Sequence, residues 1–377
     1  MSPSEVAKRI RNRAAALAEH PLTPHPVERF LKDAELRRRR KPGLPDVITA
    51  EELDSLCRRQ WRKPLAATWH APISSWKGSS AAFLWLHLEG GHTERVILKA
   101  TLYSEDHNRA SEDFPLRPGA PEFWIYGTAA PVLRQYLADC LFVIRRSGAR
   151  SFVYVLEDLT VKYGKPPRTG GWQPGVLRMH DLHAALGEAA ATHGSESLLN
   201  YDGSFGQELM DYAQNAIARF RDTANSSVAR EVVDDWSRLS GCYLSAEFDT
   251  PQLYRPIHGD YNTGNLFYSR GESGQLKVVD WEWAGIGLPH LDLASYLRDA
   301  PPEVTKWAIE DLARREPDLS VRTHERLLLR CSLERAVWDA SLLANQLRLD
   351  FNRFQRLGQG VTRSLSSAMV ALNALAG

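Results

Sequence analysis

The pattern of apolar and polar residues predicts a first unit that mixes strands with helices. Thr49-Ala50-Glu51-Glu52 forms a capping box, and apolar residues follow it at helical spacing, so we predict a helix that begins here. The apolar runs at 82–88 and 95–102 are separated by Glu89-Gly90-Gly91-His92, which is typical of an antiparallel hairpin. The other elements predicted for this unit are a helix over about 122–137 and strands at 141–145 and 152–156.

The second half of the chain has a mostly helical pattern. From Leu177 onward apolar residues recur at helical spacing, and the pattern is interrupted only near 257–280, where two short strands flank a loop. We therefore predict three parts: an extension over 1–46, a first lobe over 47–158 and a second lobe over 159–377.

The extension contains a helix-forming stretch, several prolines and the basic run Arg37 to Lys41, followed by a linker at 42–45. A basic run is usually a solvated helix face, and no aromatic residues interleave with these arginines. Nucleic-acid binding is therefore the less favoured interpretation. Nucleic-acid binding predicts a salt-dependent interaction with an oligonucleotide, whereas a solvated helix face predicts none.

Composition limits the remaining classes of protein. Hydrophobic residues make up 43% of the 377-residue chain, which is enough for a sizeable core, and 47 basic residues balance 46 acidic ones. The four cysteines are far apart, and no segment resembles a signal peptide or a membrane span. We expect a cytoplasmic protein without a membrane partner.

Candidate chemistry is concentrated between Ile257 and Asp280. Asp260 is followed five residues later by Asn265, so that a carboxylate and an amide share one loop. The apolar strand Leu276 to Val279 ends in Asp280, and a hard oxygen ligand at a strand end suits Mg²⁺. This arrangement suits phosphoryl transfer, in which one group orients a hydroxyl and others hold a metal on the nucleotide.

These residues carry a resemblance to a known family. His258-Gly259-Asp260 with Asn265, and then Asp280-Trp281-Glu282, resemble the aminoglycoside phosphotransferase and choline kinase-like family. The resemblance implies an α+β, bilobal protein-kinase-like fold with a small antiparallel-sheet N-lobe and a mostly helical C-lobe. It also implies that Asp260 is the catalytic base, that Asn265 and Asp280 bind metal, and that His258 and Asp292 support the loop.

The same resemblance extends upstream of the loop. Lys99 ends the apolar strand Val96 to Leu98 and is the expected phosphate ligand, and Glu122 is the expected helix partner that holds it. Glu112 is a rival for the role of Glu122. Glu157 and Leu159 follow another apolar strand and resemble the hinge at which backbone groups hold adenine.

One element departs from the family pattern. Gly78 is the only glycine between Ile73 and Phe83, so there is no glycine-rich phosphate loop. Ser79 and Ser80 would have to supply hydroxyls or backbone amides to the phosphates. His193, near the end of a predicted helix, is similar to a family position that is mostly structural.

The expected function is an ATP- or GTP-dependent, Mg²⁺-requiring phosphotransferase that acts on a hydroxyl of a small molecule. An antibiotic or other natural product is the leading acceptor, ahead of choline, ethanolamine, homoserine or a sugar. A kinase-fold binding protein without turnover is the alternative from another class. We expect residues 161–250 and 300–377 to form the acceptor pocket. Candidates for acceptor contact are Glu282, Trp338 and Asp339, although the tryptophan is also a typical core residue.

Overall fold

The structure is a computed structural model, and it describes residues 41–43, 45, 47–76, 79–102, 120–146, 151–164, 171–202, 214, 251–269 and 275–346. The basic run up to residue 40, Glu112 and much of the predicted acceptor region lie outside these residues.

The elements are numbered in chain order. The first part contains β1 (Lys41–Pro42), α1 (Ala50–Trp61), β2 (Leu65–Trp76), β3 (Ser79–Leu88), β4 (Thr93–Leu102), α2 (Ala120–Gly127), α3 (Ala130–Leu133), β5 (Cys140–Arg146), β6 (Ser151–Glu157) and β7 (Tyr163–Gly164). The remainder contains α4 (Trp172–His193), β8 (Leu199–Asn200), β9 (Arg255–Ile257), β10 (Leu266–Ser269), β11 (Leu276–Val278), β12 (Gly285–Gly287), α5 (Pro289–Tyr296), α6 (Pro302–Arg315) and α7 (Val321–Gln346). Short 3-10 turns lie at Pro251–Leu253 and Trp281–Trp283.

The chain divides into two compact units. The first comprises Met1–Glu105, Pro118–Gly171 and Thr263–Asp280, and the second comprises Asp106–Arg117, Trp172–Asn262 and Trp281–Gly377. The segment Thr263–Asp280, which the sequence-based division counts with the second lobe, groups with the first unit because β10 pairs with both β11 and β7.

The first unit is built on a six-stranded antiparallel sheet with the order β1-β2-β3-β4-β6-β5. The predicted hairpin is confirmed as β3 and β4, with Leu84 opposite Val96 and Ala82 opposite Leu98. Strand β2 was not predicted, because Pro72 and the two serines after it interrupt its apolar pattern. A register shift between Pro72 and Ser74 accommodates that interruption.

Helix α1 covers one face of this sheet. Its capping box is confirmed: the Glu52 amide donates to Thr49 Oγ1 at 3.2 Å, and the Thr49 amide donates to Glu52 Oε2 at 2.8 Å. Leu53, Leu56 and Cys57 are buried against alternate residues of the central strands. These alternate residues are Leu84, Leu86, Leu88, Val96, Leu98, Ala100, Val153 and Val155.

Two of the features predicted for the first 140 residues differ from the structure. The helix over 122–137 is instead two helices, α2 and α3, separated at Thr128 and Ala129. The amides of Thr128 and Ala129 both bond to the Trp124 carbonyl, and Pro131 at the start of α3 has no amide proton to continue the helical pattern. The predicted linker at 42–45 partly forms β1, in which Pro42 lies opposite Trp69 of β2.

The second unit is mostly helical, as predicted. Helices α4 to α7 account for most of its described residues, and a small sheet with the order β8-β12-β9 lies among them. Helix α4 begins at Trp172, five residues before the predicted start. Together the antiparallel sheet of the first unit and the helices of the second give an α+β fold.

Candidate active site

The alternation of β4 determines which face of the sheet Lys99 occupies. Val96, Leu98 and Ala100 point into the core beneath α1, so the side chain between Leu98 and Ala100 points to the opposite face. Helix α2 packs on that face, where Phe123 and Phe152 stack with ring centroids 4.6 Å apart. Lys99 is therefore presented to α2 by strand geometry.

Lys99 forms a charge cluster with two carboxylates, one buried and one partly exposed. Its Nζ donates to Glu122 Oε1 at 3.0 Å and to Asp280 Oδ1 at 2.7 Å. Lys99 is 8% exposed and Glu122 is fully buried, whereas the side chain of Asp280 is 44% exposed. A buried carboxylate needs a charged partner, and Lys99 supplies it for Glu122. Because Asp280 is more exposed than Glu122, it can exchange its contact with Lys99 for another partner at a lower cost in free energy.

Asn265 and Asp280 are brought together by the pairing of β10 with β11. The register continues beyond Leu266 and Val278, and the Val279 amide donates to the Asn265 carbonyl at 3.0 Å. Asp280 has a φ of 69°, a left-handed conformation that is uncommon for a residue with a side chain. The backbone at the strand end is thus held in an unusual conformation where the predicted metal ligand lies.

The side chains of Asn265 and Asp280 offer the type of ligand atom that binds Mg²⁺. Both residues offer hard oxygen atoms, and such ions commonly take only one or two protein ligands, with phosphates and water completing the shell. No group of three or more His, Cys, Asp or Glu residues suited to a metal occurs within the described part of the chain.

In the second unit, Asp292 braces the loop that carries Asp260. Its carboxylate accepts the backbone amides of His258 and Gly259, each at 2.8 Å, and that of Tyr261 at 3.4 Å. His183 Nε2 of α4 donates to the same carboxylate at 2.8 Å. Burial tends to raise the pKa of Asp292, but the hydrogen bonds and charges of His183 and His258 together outweigh it and lower the pKa from its ordinary value.

Gly259 is required by the conformation of this loop. Its φ is +79°, and a Cβ built there would lie 2.0 Å from the carbonyl oxygen of Trp283. That oxygen accepts the hydroxyl of Tyr201 at 2.6 Å, so it cannot easily move away. A side chain at position 259 would displace the loop that carries Asp260.

His258 and Arg335 surround Asp260 within the second unit. His258 is buried, its ring lies 4.6 Å from that of Trp281, and its Nδ1 accepts the Asp260 amide at 3.2 Å. Arg335 Nη2 of α7 donates to Asp260 Oδ1 at 2.5 Å. The backbone and the carboxylate of Asp260 are therefore held by different residues.

The predicted hinge is a tight turn after β6. Lys162 Nζ bonds to Glu157 Oε1 at 2.8 Å, and the Leu159 carbonyl accepts the amides of Lys162 and Tyr163. The Glu157 amide donates to the Asp139 carbonyl at 2.9 Å. These two backbone groups of Glu157 and Leu159 already have partners, so any adenine contact here would use others.

Asp158, between the two predicted hinge residues, is the more constrained position. It is 3% exposed and forms an ion pair with Arg95 Nε of β4. Arg95 Nη2 also donates to Thr160 Oγ1 at 2.9 Å, and Thr160 Oγ1 donates to Asp158 Oδ1 at 2.6 Å. The turn is thereby attached to the same strand that carries Lys99.

Ser79 and Ser80 begin strand β3. Ser80 pairs with Ala100, one position beyond Lys99, and Ser79 pairs with Thr101, two positions beyond Lys99. Both serines therefore lie beside the end of β4. The residues between β2 and β3 and the side chains of the two serines lie outside the described atoms, so a role of Ser79 and Ser80 at the phosphates stays a prediction.

Of the predicted acceptor contacts, Trp338 is a core residue in this structure. It is 2% exposed, and its ring packs edge-on against Trp283 with centroids 4.1 Å apart, which fits the core interpretation. Glu282 is 9% exposed. The side chain of Asp339 lies outside the described part.

Sequence reasoning missed His183 and Arg335. His193 is exposed at the end of α4, and it is His183, ten residues earlier, that contacts Asp292. A signal for His183 was present, because it follows the buried Met179 by four residues and precedes the buried Leu186 by three, on one apolar helix face. Arg335 had no comparable local signal.

The sheet of the first unit and the helices of the second form a protein-kinase-like fold, which the chain shares with solved structures. Residues 164–327 match the family model described as "Phosphotransferase enzyme family". This match confirms the resemblance predicted from the motifs.

Two solved structures show the same fold. The GDP complex of wild-type aminoglycoside 2'-phosphotransferase-IIIa aligns with a TM-score of 0.52 and 14% identity, over 87% of this chain and 100% of that chain. Spectinomycin phosphotransferase in complex with ADP and spectinomycin aligns with a TM-score of 0.50 and 14% identity, over 87% of this chain and 98% of that chain. No curated protein matches the sequence. Among the described residues, no helix has the length and apolar character needed to cross a membrane.

Proposed function

We propose that this protein transfers the γ-phosphoryl group of ATP or GTP to a hydroxyl of a small molecule. The observation that carries the proposal is the buried Lys99, which contacts both Glu122 and Asp280. A lysine held by a helix glutamate, close to a metal-binding aspartate, is the arrangement that kinases use for nucleotide phosphates.

Each residue has a separate role in this proposal. Lys99 contacts the phosphates, and Glu122 keeps its ammonium group in place. Asn265 and Asp280 would hold Mg²⁺, which supplies charge neutralisation of the phosphates when bound. Asp280 would then exchange its contact with Lys99 for the metal, as its exposure allows.

Asp260 acts on the acceptor. It orients the hydroxyl toward the γ-phosphorus and accepts the hydroxyl proton as the new P–O bond forms. The bond between the γ-phosphorus and the β–γ bridging oxygen breaks, and the electron pair leaves with the nucleoside diphosphate. Because such transition states are largely dissociative, positioning contributes more than the strength of the base.

The proposed acceptor class rests on the names of the similar structures. One similar structure is named as an aminoglycoside phosphotransferase and contains GDP, and another contains ADP and spectinomycin. We therefore propose an antibiotic or related natural product as the acceptor, with choline, ethanolamine, homoserine and sugars as the other compounds to test.

The test is a transfer assay with γ-labelled ATP or GTP and Mg²⁺ against this panel, with product mass as the readout. We expect one acceptor to gain a single phosphoryl group. Asp260→Asn should abolish transfer while the Kd for nucleotide changes by less than about twofold, because a base acts on the acceptor and not on the nucleotide. Asp299→Asn, at an exposed position on the same unit, is the matched control.

Two results would contradict the proposal. An undiminished rate in Asp260→Asn would remove Asp260 from the reaction. Tight nucleotide binding without transfer to any acceptor would instead favour the kinase-fold binding protein.

A further inference from the structure

We propose that Arg335 is a positioning residue that sets the orientation of the Asp260 carboxylate for transfer. This inference rests on the proposed function. It assigns a role to a helix of the second unit, α7, that no motif of the loop indicates.

The guanidinium group of Arg335 spans the loop at two points. Nη2 donates to Asp260 Oδ1 at 2.5 Å, and Nη1 approaches the carbonyl of the preceding Gly259 at 3.4 Å. The planar fork of an arginine matches two acceptors in fixed geometry, which a lysine ammonium cannot do. The contact therefore constrains the rotation of the carboxylate as well as its position.

Arg335 is itself held in place. Its guanidinium lies 5.1 Å from the ring centroid of Trp338, three residues later on α7, and that ring packs on Trp283. The side chains of Arg335 and Asp260 are only 10% and 16% exposed. An ion pair with little exposure is screened weakly by water, so it holds its geometry better than a surface pair.

Asp292 and Arg335 support different parts of the loop. Asp292 accepts the backbone amides of His258, Gly259 and Tyr261. Arg335 binds the Asp260 carboxylate. Removal of Arg335 should therefore leave the loop backbone held by Asp292, while the reacting side chain gains rotational freedom. A misplacement of about 1 Å at a reacting group can lower a rate by about 100-fold.

The experiment compares Arg335→Met and Arg335→Lys with wild type, with Arg322→Met on the exposed start of α7 as the control. The readouts are kcat, the KM for nucleotide, the KM for the acceptor found above, and the Tm. We expect Arg335→Met to lower kcat by about 10- to 100-fold while the nucleotide KM changes by less than about twofold. Arg335→Lys should recover part of kcat, because it restores the charge but not the fork. Arg322→Met should match wild type.

The outcomes separate this inference from the proposed function. Wild-type transfer together with a kcat for Arg335→Met within about threefold of wild type would overturn the inference alone. Parallel losses in kcat and in nucleotide affinity would also overturn it, because they would indicate a general structural role. If Arg335→Met does not fold, Arg335→Lys with a wild-type Tm decides: a reduced kcat supports the inference, and an unchanged kcat refutes it. Absence of transfer by wild type would remove the proposed function and this inference together.

Discussion

Replacement of Asp292 by alanine should destabilise the second unit and remove the support of the loop that carries Asp260. Asp292 is completely buried, and its carboxylate accepts the amides of His258 and Gly259 at 2.8 Å and His183 Nε2 at the same distance. In Asp292→Ala these donors lose an ionised acceptor in a place with little access to water.

The expected loss follows from the two short backbone contacts. Each buried donor left without a partner costs about 1–3 kcal/mol, so the amides of His258 and Gly259 together predict a loss of about 2–6 kcal/mol in unfolding free energy. A water molecule that entered the space left by the carboxylate would move the result toward the lower value. The total stability of a domain is about 5–15 kcal/mol, so the loss is a large fraction of it.

Urea unfolding at pH 7.5 followed by circular dichroism measures this change, and transfer kinetics measure its effect on the loop. The pKa of Asp292 is lowered in the folded protein, so its contribution is fully present at this pH and is lost only as the pH falls through that lowered value. Asp299→Ala, at an exposed position, should change the free energy by less than about 0.5 kcal/mol. A loss below about 1 kcal/mol in Asp292→Ala would refute the bracing role.

Two further predictions concern the second unit. Gly259→Ala should lower the unfolding free energy by about 1–3 kcal/mol and reduce kcat, because φ is positive at this position and the added Cβ clashes with the Trp283 carbonyl. An unfolding free energy in urea equal to that of wild type would contradict this prediction. His290 is buried, and burial together with the neighbouring His324 lowers its pKa from 6.5 to about 3. Between pH 6.5 and pH 3, His290 is therefore neutral in the folded state and protonated in the unfolded chain. Its contribution to the unfolding free energy is fully present above pH 6.5. That contribution is lost as the pH falls toward 3, by up to about 1.4 kcal/mol per pH unit. His290→Gln should flatten the slope of unfolding free energy against pH in that range, and an unchanged slope would exclude His290 as its source.

The sequence predicted the features that depend on neighbours along the chain. The capping box at Thr49, the hairpin of β3 and β4 and strands β5 and β6 follow from residues a few positions apart, where local hydrogen bonding and alternation decide the outcome. The break between α2 and α3 was missed, although Pro131 was a local indication of it.

The candidate site was predicted in part. The order of Lys99, Glu122, Asp260, Asn265 and Asp280 was read from motifs, and the alternation of β4 alone assigns Lys99 to the face opposite the α1 core. That Lys99 contacts Glu122 and Asp280 at the same time was not deducible from spacing, because Lys99 and Asp280 are 181 residues apart.

The sequence by itself determined the class of fold. It also provided the proposed reaction and the residues proposed to perform it, because each motif places its groups on one strand or loop. Only the tertiary structure showed what supports the loop. His183 reaches Asp292 across 109 residues, and Arg335 reaches Asp260 across 75. Such contacts depend on which helix faces pack against the loop, and helical periodicity identifies a buried face without identifying its partner.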